Sequence, residues 1–311
     1  MATTVQPSPL AIRRPRRGQI APYLFTAPAV ILYIAFMLIP VGYAVWLSLR
    51  AYRIEGALLG RKEDVFVGLE NYAAVLTNPE FAAGFGRLAI YGVIAVPLTL
   101  GLALLFALVL DTPAARLKRF GRTAIFIPYA VPGVVAALLW GFMYLPSTSP
   151  FSYVTRALGL GTVPFLEGPG LFGALANIAI WGGVGFNMII IYTSLRSIPS
   201  EIYESARLDG ASETQIAFRI KVPLVVPALV LTGVFSLIGT LQLYSEPATL
   251  QPMTSEITNT WVPLMAIYRD AFGTDDLPQA AAASTVLAVG TVLVSVIILR
   301  IVNRKRMGGE R

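Results

Sequence analysis

Two short groups of polar and aromatic side chains interrupt the apolar parts of this sequence. Phe186 and Asn187 follow a run of glycines, and Ser236, Thr240 and Tyr244 recur at four-residue spacing, which predicts one shared helical face. Hydroxyls and an amide can exchange hydrogen bonds with a hydroxylated solute, and aromatic rings can stack on it. We therefore expect these five residues to line a pathway for a neutral solute. The alternative is that they only pack membrane helices together.

The composition excludes several other chemistries. The chain has no cysteine and no histidine, so thiolate metal sites, disulfides and imidazole ligands cannot form. Neither a G-x-x-x-x-G-K-[ST] loop nor any Gly-Lys pair occurs, which removes the usual ATP-binding P-loop. The sequence predicts no catalytic residue, no metal site and no cofactor bound by this chain.

The elements that must position these side chains are strongly apolar. Hydrophobic residues make up 56% of the 311 positions and charged residues 13%, with a mean hydropathy of +0.69. Apolar runs of about 20 residues, enough to cross a bilayer, occur near residues 23–49, 88–110, 123–145, 171–195, 222–244 and 280–302. This pattern predicts an all-α, polytopic membrane protein with six transmembrane helices.

Basic residues indicate the orientation of these spans. If the amino terminus is cytoplasmic, 17 of the 24 Lys and Arg residues lie inside and 7 outside, as the positive-inside rule requires. We predict a flexible cytoplasmic tail over residues 1–18, a six-helix domain over 19–302 and a cytoplasmic tail over 303–311. The first apolar run exceeds the 7–15 residues of a signal-peptide core, so we expect an uncleaved span. The net charge of +7 then indicates contact with membrane lipid, not with nucleic acid.

Ionisable side chains are absent from the interior of the predicted spans. Between their ends these runs contain no Asp, Glu, Lys or His, which disfavours a carrier driven by intramembrane proton transfer. A phosphorylated solute is disfavoured for the same reason, since no intramembrane cation would neutralise it. If ATP drives transport, another subunit must hydrolyse it.

The loop over residues 196–223 has the local signals of two helices joined at a glycine. Ile202 and Ala206 belong to an apolar stripe with four-residue spacing. Gly210 can adopt the left-handed conformation that ends a helix. Ser212 with Gln215 predicts a capping box that opens the second helix. A short helix of this kind can lie on a membrane surface or dock in a groove of a partner.

The order of residues in this loop resembles the E-A-A, three residues, G, nine residues, I-x-L-P sequence of ABC importer permeases. The positions that carry the resemblance, with the accompanying D-G-A, are Glu204, Ser205, Ala206, Asp209, Gly210, Ile220 and Pro223. Ser205 stands where a second Ala is usual, and Val222 where Leu is usual, so the departures conserve size or polarity. Segments 66–72, 122–128 and 268–272 resemble maltose-type carbohydrate permeases in the same order along the chain.

This resemblance covers about residues 20–302 and implies a type I ABC importer permease of the bacterial inner membrane with both termini cytoplasmic. It implies import of a carbohydrate, such as a disaccharide or oligosaccharide, by alternating access. The loop over 196–223 would be the coupling helix that docks on an ATPase. The implied partners are a second, homologous permease, an ATPase dimer that holds ATP and Mg²⁺, and an extracytoplasmic solute-binding protein.

Two other classes of function remain open from the residues alone. A membrane-embedded enzyme would need convergent ionisable groups, and the crowded acidic candidates are Asp270, Asp275 and Asp276. An autonomous channel would need a polar stripe repeated through an oligomer. We expect the three aspartates to form a solvated loop, and the polar residues of the spans are sparse.

Overall fold

A computed structural model describes residues 21–55, 61–113 and 115–307 of the chain. The predicted amino-terminal tail, 1–18, lies outside the described residues, as do positions 308–311 of the predicted carboxyl-terminal tail. Residues 303–307 continue the last helix.

Helices and one hairpin make up the described chain. The elements are α1 (Ala21–Tyr33), α2 (Ile39–Ser48), β1 (Arg50–Glu55), β2 (Arg61–Phe66), α3 (Glu70–Thr77), α4 (Pro79–Asp111), α5 (Lys118–Phe126), α6 (Gly133–Tyr144), α7 (Pro150–Ala157), α8 (Gly168–Arg196), α9 (Ser200–Leu208), α10 (Glu213–Ile216), α11 (Val222–Leu241), α12 (Ser245–Leu250), α13 (Pro263–Tyr268) and α14 (Leu277–Met307). Short 3₁₀ turns cover Ile127–Ala130 and Gln251–Met253, and π-helical turns cover Ile34–Leu38, Ala217–Lys221 and Arg269–Gly273.

Five helical stretches in the described residues are long and apolar enough to cross a membrane, and a bent pair makes the sixth. The five cover 23–48, 79–111, 168–196, 213–241 and 277–301. The predicted third span, over 123–145, is a bent pair of helices, because the chain turns by 94° between Ala130 and Gly133. Pro132 lies at the bend with ψ of 136°, and its missing N–H cannot continue the preceding turn.

The core lies mainly between α4 and α8. Ala103 and Ala107 of α4 are fully buried against Met188 and Ile191 of α8, so small side chains on one helix admit large ones from the other. The span formed by α1 and α2 is different, because none of its apolar window is buried within the described chain. That span packs along α14 and leaves most of its surface to lipid or to another protein.

Two π-helical turns precede prolines at the same offset. The turn over Ile34–Leu38 comes before Pro40, and the turn over Ala217–Lys221 comes before Pro223. A proline cannot donate to the carbonyl four residues back and its ring clashes with it, and a wider turn relieves that conflict. The second of these turns joins α10 to α11, the span that follows the predicted coupling helix.

The antiparallel hairpin of β1 and β2 is tied to the end of α2 by side chains of the 66–72 segment. Asn71 Nδ2 donates to the carbonyl oxygens of Ser48, at 2.8 Å, and Arg50, at 2.7 Å. The hydroxyls of Tyr72 and Ser48 share a hydrogen bond of 2.6 Å. Gly68 has φ of +60°, which favours glycine. The F-x-G-L-x-N-Y pattern therefore builds a turn.

A tight crossing of α8 over α5 generates a stability prediction. A Cβ on Gly185 would press on the Ile125 carbonyl oxygen and lie 2.7 Å from Phe126 Cα, and backbone atoms cannot rotate away. We expect G185A to lower stability by about 1–3 kcal/mol, the usual cost of overpacking. The measurement is the apparent Tm of the purified protein in detergent. G101A is the matched control, since a Cβ there meets nothing within 4 Å; equal Tm values for the two variants would contradict the packing described.

Candidate functional site

A cavity of about 540 Å³ lies between α4, α6, α8 and α11 and the segment after α11. All five residues predicted to form a pathway line it: Phe186, Asn187, Ser236, Thr240 and Tyr244. The expected shared helical face is correct for Ser236 and Thr240 only, because α11 ends at Leu241. The helix stops short of Pro247, whose ring is incompatible with an uninterrupted helix and lies instead in the first turn of α12.

The polar atoms of the cavity differ in how far they are already satisfied. The Thr240 hydroxyl donates to the Ser236 carbonyl oxygen at 2.9 Å. Asn187 Nδ2 donates to the Gly183 carbonyl oxygen at 2.8 Å, while Asn187 Oδ1 is buried with no partner among the described residues. A buried acceptor without a donor is costly. A ligand hydroxyl donating to Asn187 Oδ1 would remove that cost.

An aromatic pair gives the cavity a flat apolar surface. The rings of Tyr129 and Phe186 stack with centroids 4.9 Å apart and an interplanar angle of 17°, and both residues line the cavity. Sequence reasoning identified Phe186 but missed Tyr129, which belongs to the 3₁₀ turn at the break between α5 and α6. The aromatic face and the unpaired amide oxygen together suit a solute with both a hydrophobic ring face and hydroxyl groups.

Glu246 also lines the cavity and was not predicted. It follows the end of the predicted fifth span by two residues, and the chain turns back there into α12. The interior of the spans is free of acidic residues, as the sequence indicates, but this return segment brings a carboxyl group to the cavity.

The loop over 196–223 folds as predicted into helix, glycine turn and helix. Gly210 has φ of +83°, and the N–H groups of Gly210 and Ala211 donate to carbonyls of the last turn of α9. These bonds form the turn that commonly ends a helix with glycine. Ser212 and Gln215 form the reciprocal capping box at the start of α10.

Most of the predicted coupling residues lie on the surface of this loop. Ala206 and Ile220 are half-buried, and the exposed ones are Glu204, Ser205, Asp209, Gly210 and Pro223. Two apolar side chains are exposed beside them, Ile202 at 41% and Leu208 at 90%. Leu208 was missed because it lies off the predicted stripe. The described chain therefore leaves an apolar patch at the tip of this loop uncovered.

An ion pair spans the glycine turn. Arg207 Nε lies 2.7 Å from Glu213 Oε1, so α9 and α10 are linked by a side-chain bond as well as by backbone. The hydrogen bond from Arg207 lowers the pKa of Glu213, and the same bond raises the pKa of Arg207.

A buried ion pair lies beneath this loop. Lys221 Nζ lies 2.6 Å from Asp111 Oδ2, and both side chains are only 4% exposed. The other oxygen of Asp111 is 4.0 Å from Arg196. These three residues come from the end of α4, the end of α8 and the turn before α11. One carboxylate thus connects three spans.

Tyr203 connects α9 to that ion pair. Its ring lies 4.8 Å from Lys221 Nζ, within the range of a cation–π interaction. Burial raises the pKa of Tyr203, as does the charge of Asp111, while Arg196 opposes the shift. Sequence reasoning missed this cluster because Asp111 and Lys221 each lie one position outside a predicted span.

Asp270, Asp275 and Asp276 are the acidic residues that a membrane-embedded enzyme would use. Asp270 is buried, and its Oδ1 accepts hydrogen bonds from Arg269 at 2.7 and 3.0 Å, so the expectation of a solvated loop is wrong for this residue. Across the described residues, no group of three or more Asp, Glu, Cys or His side chains could hold a metal.

Comparison with known proteins identifies relatives along nearly the whole chain. It is 30% identical over 292 residues to the sn-glycerol-3-phosphate transport system permease protein UgpA of Agrobacterium fabrum, covering 93% of this chain and 96% of the relative. It is 31% identical over 293 residues to the probable ABC transporter permease protein YurN of Bacillus subtilis, covering 91% and 96%.

A solved structure shares the fold. A chain of a bacterial ABC transporter involved in the import of the acidic polysaccharide alginate superposes with a TM-score of 0.76, at 22% identity, over 91% of this chain and 95% of that one. The predicted permease fold is therefore confirmed. A family model described as binding-protein-dependent transport system inner membrane component matches residues 100–307, more than half of the chain. The chain belongs to this family of inner-membrane transport components.

Proposed function

We propose that this chain is the permease subunit of an ATP-driven importer that moves a carbohydrate, a disaccharide or oligosaccharide, across the bacterial inner membrane by alternating access. The observation that carries the proposal is the cavity that joins the stacked rings of Tyr129 and Phe186 to the unpaired Asn187 Oδ1. Rings stack on the apolar faces of sugars, and free acceptors replace the water that sugar hydroxyls lose. UgpA is named for the transport of sn-glycerol-3-phosphate, YurN as a probable ABC transporter permease, and the alginate transporter for the import of an acidic polysaccharide. These names support an importer of polyhydroxylated solutes.

The proposed complex contains a second, homologous permease, an ATPase dimer that binds ATP and Mg²⁺, and an extracytoplasmic solute-binding protein. The distribution of basic residues supports cytoplasmic termini and a cytoplasmic position for α9. The uncovered span of α1 and α2 leaves surface for lipid or for the second permease. This chain has no catalytic role in the proposal, and hydrolysis belongs to the ATPase.

The tip of the coupling loop supplies a surface for the ATPase. Exposed Ile202 and Leu208 would enter an apolar groove, in the manner of a helix docking on a partner. Glu204, Ser205 and Asp209 are exposed polar residues of the same loop. The Arg207–Glu213 ion pair and the capped turn at Gly210 hold this surface together, so it can move as one body.

The buried charges give that movement a path to the cavity. Tyr203 contacts Lys221, and Lys221 is paired with Asp111. Lys221 leads directly into α11 and Asp111 ends α4, and both of these helices line the cavity. A displacement of α9 would therefore move the cytoplasmic ends of two cavity-lining helices.

The first test is assembly. We expect affinity purification of the tagged chain from its host in mild detergent to recover a P-loop ATPase and a second polytopic subunit. L208E should lower recovery of the ATPase by roughly tenfold, because a charge placed in an apolar contact loses its hydration. Leu160, 74% exposed on the loop before α8, gives the matched control L160E. Equal recovery with both variants would contradict docking through Leu208, and recovery of the chain alone would contradict the importer.

The second test separates coupling from assembly. Gly210 and Gly159 both have positive φ, at +83° and +74°, and a Cβ on either meets nothing within 4 Å. Valine at such a position strains the backbone by roughly 1–2 kcal/mol. We expect G210V to reduce substrate uptake at least several-fold while ATP hydrolysis by the complex persists, because the capped turn deforms. G159V is the control, since the proposed topology puts Gly159 on the extracytoplasmic side of the membrane, and it should leave the ratio of uptake to ATP hydrolysis unchanged. Full uptake by G210V would count against the proposed coupling mechanism.

The third test concerns the buried ion pair. D111N leaves the Lys221 ammonium buried without its counter-ion, and we expect a loss of about 3–5 kcal/mol in stability. D111N/K221Q removes both charges and should recover most of that loss. The control is D64N, which breaks the exposed Arg50–Asp64 pair and should cost about 0–1 kcal/mol. The apparent Tm in detergent ranks the stability of the variants. A Tm for D111N equal to that for D64N would show that the Asp111–Lys221 pair does not stabilise the fold.

A further inference from the structure

The cavity carries a single formal charge among the described residues that line it. Glu246 is that residue, and no Lys or Arg belongs to the lining. The other polar side chains nearby on the same segment, Gln242 and Ser245, are neutral. The electrostatic potential of the cavity is therefore negative wherever the Glu246 carboxylate is ionised.

The fold holds this carboxylate in one place. Pro247, the next residue, is fully buried and fixes the start of α12. Across the cavity wall, a Cβ on Gly133 would lie 3.5 Å from Glu246 Oε1, so the carboxyl group reaches the first residue of α6. The carboxyl group of Glu246 therefore lies beside the amino-terminal end of α6.

The hydrogen-bonding capacity of Glu246 is unused within the described chain. No described residue forms an ion pair or a hydrogen bond with its carboxylate, although the group is only partly exposed. An ionised carboxyl group offers two oxygens with about four acceptor sites. This differs from Asp111, whose two oxygens both face cations.

We propose that Glu246 is a specificity-determining residue of the cavity. Its two oxygens accept hydrogen bonds from adjacent hydroxyls of an uncharged saccharide, and its charge excludes saccharides that carry a carboxylate or a phosphate. The proposal rests on the proposed function and narrows its substrate class to neutral saccharides. Asn187 Oδ1 and the Tyr129–Phe186 stack bind such a solute without regard to its charge, so discrimination against anions falls to Glu246.

A labelling experiment tests the electrostatic part without any substrate. Because the chain has no cysteine, S245C places one thiol in the cavity of the assembled complex in lipid nanodiscs. The measured quantity is the ratio of modification rates by cationic and anionic methanethiosulfonates, normalised to a free thiol in solution. We expect the cation to be favoured by about threefold to tenfold at low salt, as for a unit charge several ångströms away, and E246Q to abolish the preference. L160C, in the exposed loop before α8, should show no response to E246Q.

An uptake experiment tests the specificity part. The complete importer in its host is offered neutral disaccharides and trisaccharides and the matching uronic-acid oligomers. We expect the wild type to take up a neutral member only, and E246Q to raise its KM by about tenfold, the loss of one or two hydrogen bonds to a charged acceptor. E246Q is isosteric, so an unchanged apparent Tm and unchanged ATPase recovery would show that folding is intact.

The outcomes separate the two proposals. Uptake of uronic-acid oligomers by the wild type, or a neutral-sugar KM that E246Q leaves unchanged, overturns the role of Glu246 while the importer stands. A ratio of cationic to anionic labelling rates that is the same in the wild type and in E246Q overturns the inference of a negative potential in the cavity. Failure of the wild type to take up any saccharide, with the labelling ratio as expected, overturns the carbohydrate function and the substrate role of Glu246 with it.

Discussion

The Asp111–Lys221 ion pair is the interaction on which the arrangement of this bundle most depends. A carboxylate at the carboxyl end of α4 opposes the helix dipole and is almost fully buried. It is stable there only because Lys221 and, at longer range, Arg196 approach it. The ends of α4, α8 and α11 are therefore held together by electrostatics in addition to apolar packing. Tyr203 extends the same cluster to α9, which links the surface loop to the interior.

The cavity differs from this cluster in how far its polar groups are paired within the chain. In the buried cluster each charge faces a counter-charge, whereas the cavity contains the buried Asn187 Oδ1, which has no hydrogen-bond partner among the described residues, and the half-buried carboxylate of Glu246. Unsatisfied buried acceptors reduce stability, so this arrangement is typical of a place where a ligand completes the bonding. Helices α4 and α11 reach from the buried ion-pair cluster to the cavity, so two rigid helices connect these sites.

The features that local signals specify were predicted well. The glycine turn at Gly210 and the capping box at Ser212 depend on a few adjacent residues, and both form as expected. The path of the chain was not predicted where distant contacts or a proline decide it. Pro132 turns the expected third helix through 94°, and α11 ends before Tyr244. Tyr244 nevertheless reaches the cavity, because the return segment brings it back to α11.

By itself the sequence determined the number of apolar spans, the two-helix loop over residues 196–223 and five side chains that meet in one cavity, because hydropathy, turn chemistry and helical spacing are local properties. Only the tertiary structure decided that Asp111 meets Lys221, 110 residues away, and that Glu246 lines the cavity. All three residues lie just beyond the ends of predicted spans, where a charged side chain can be either solvent-exposed or buried. Whether such a side chain is exposed or buried depends on how the helices pack, and the sequence pattern alone does not specify that packing.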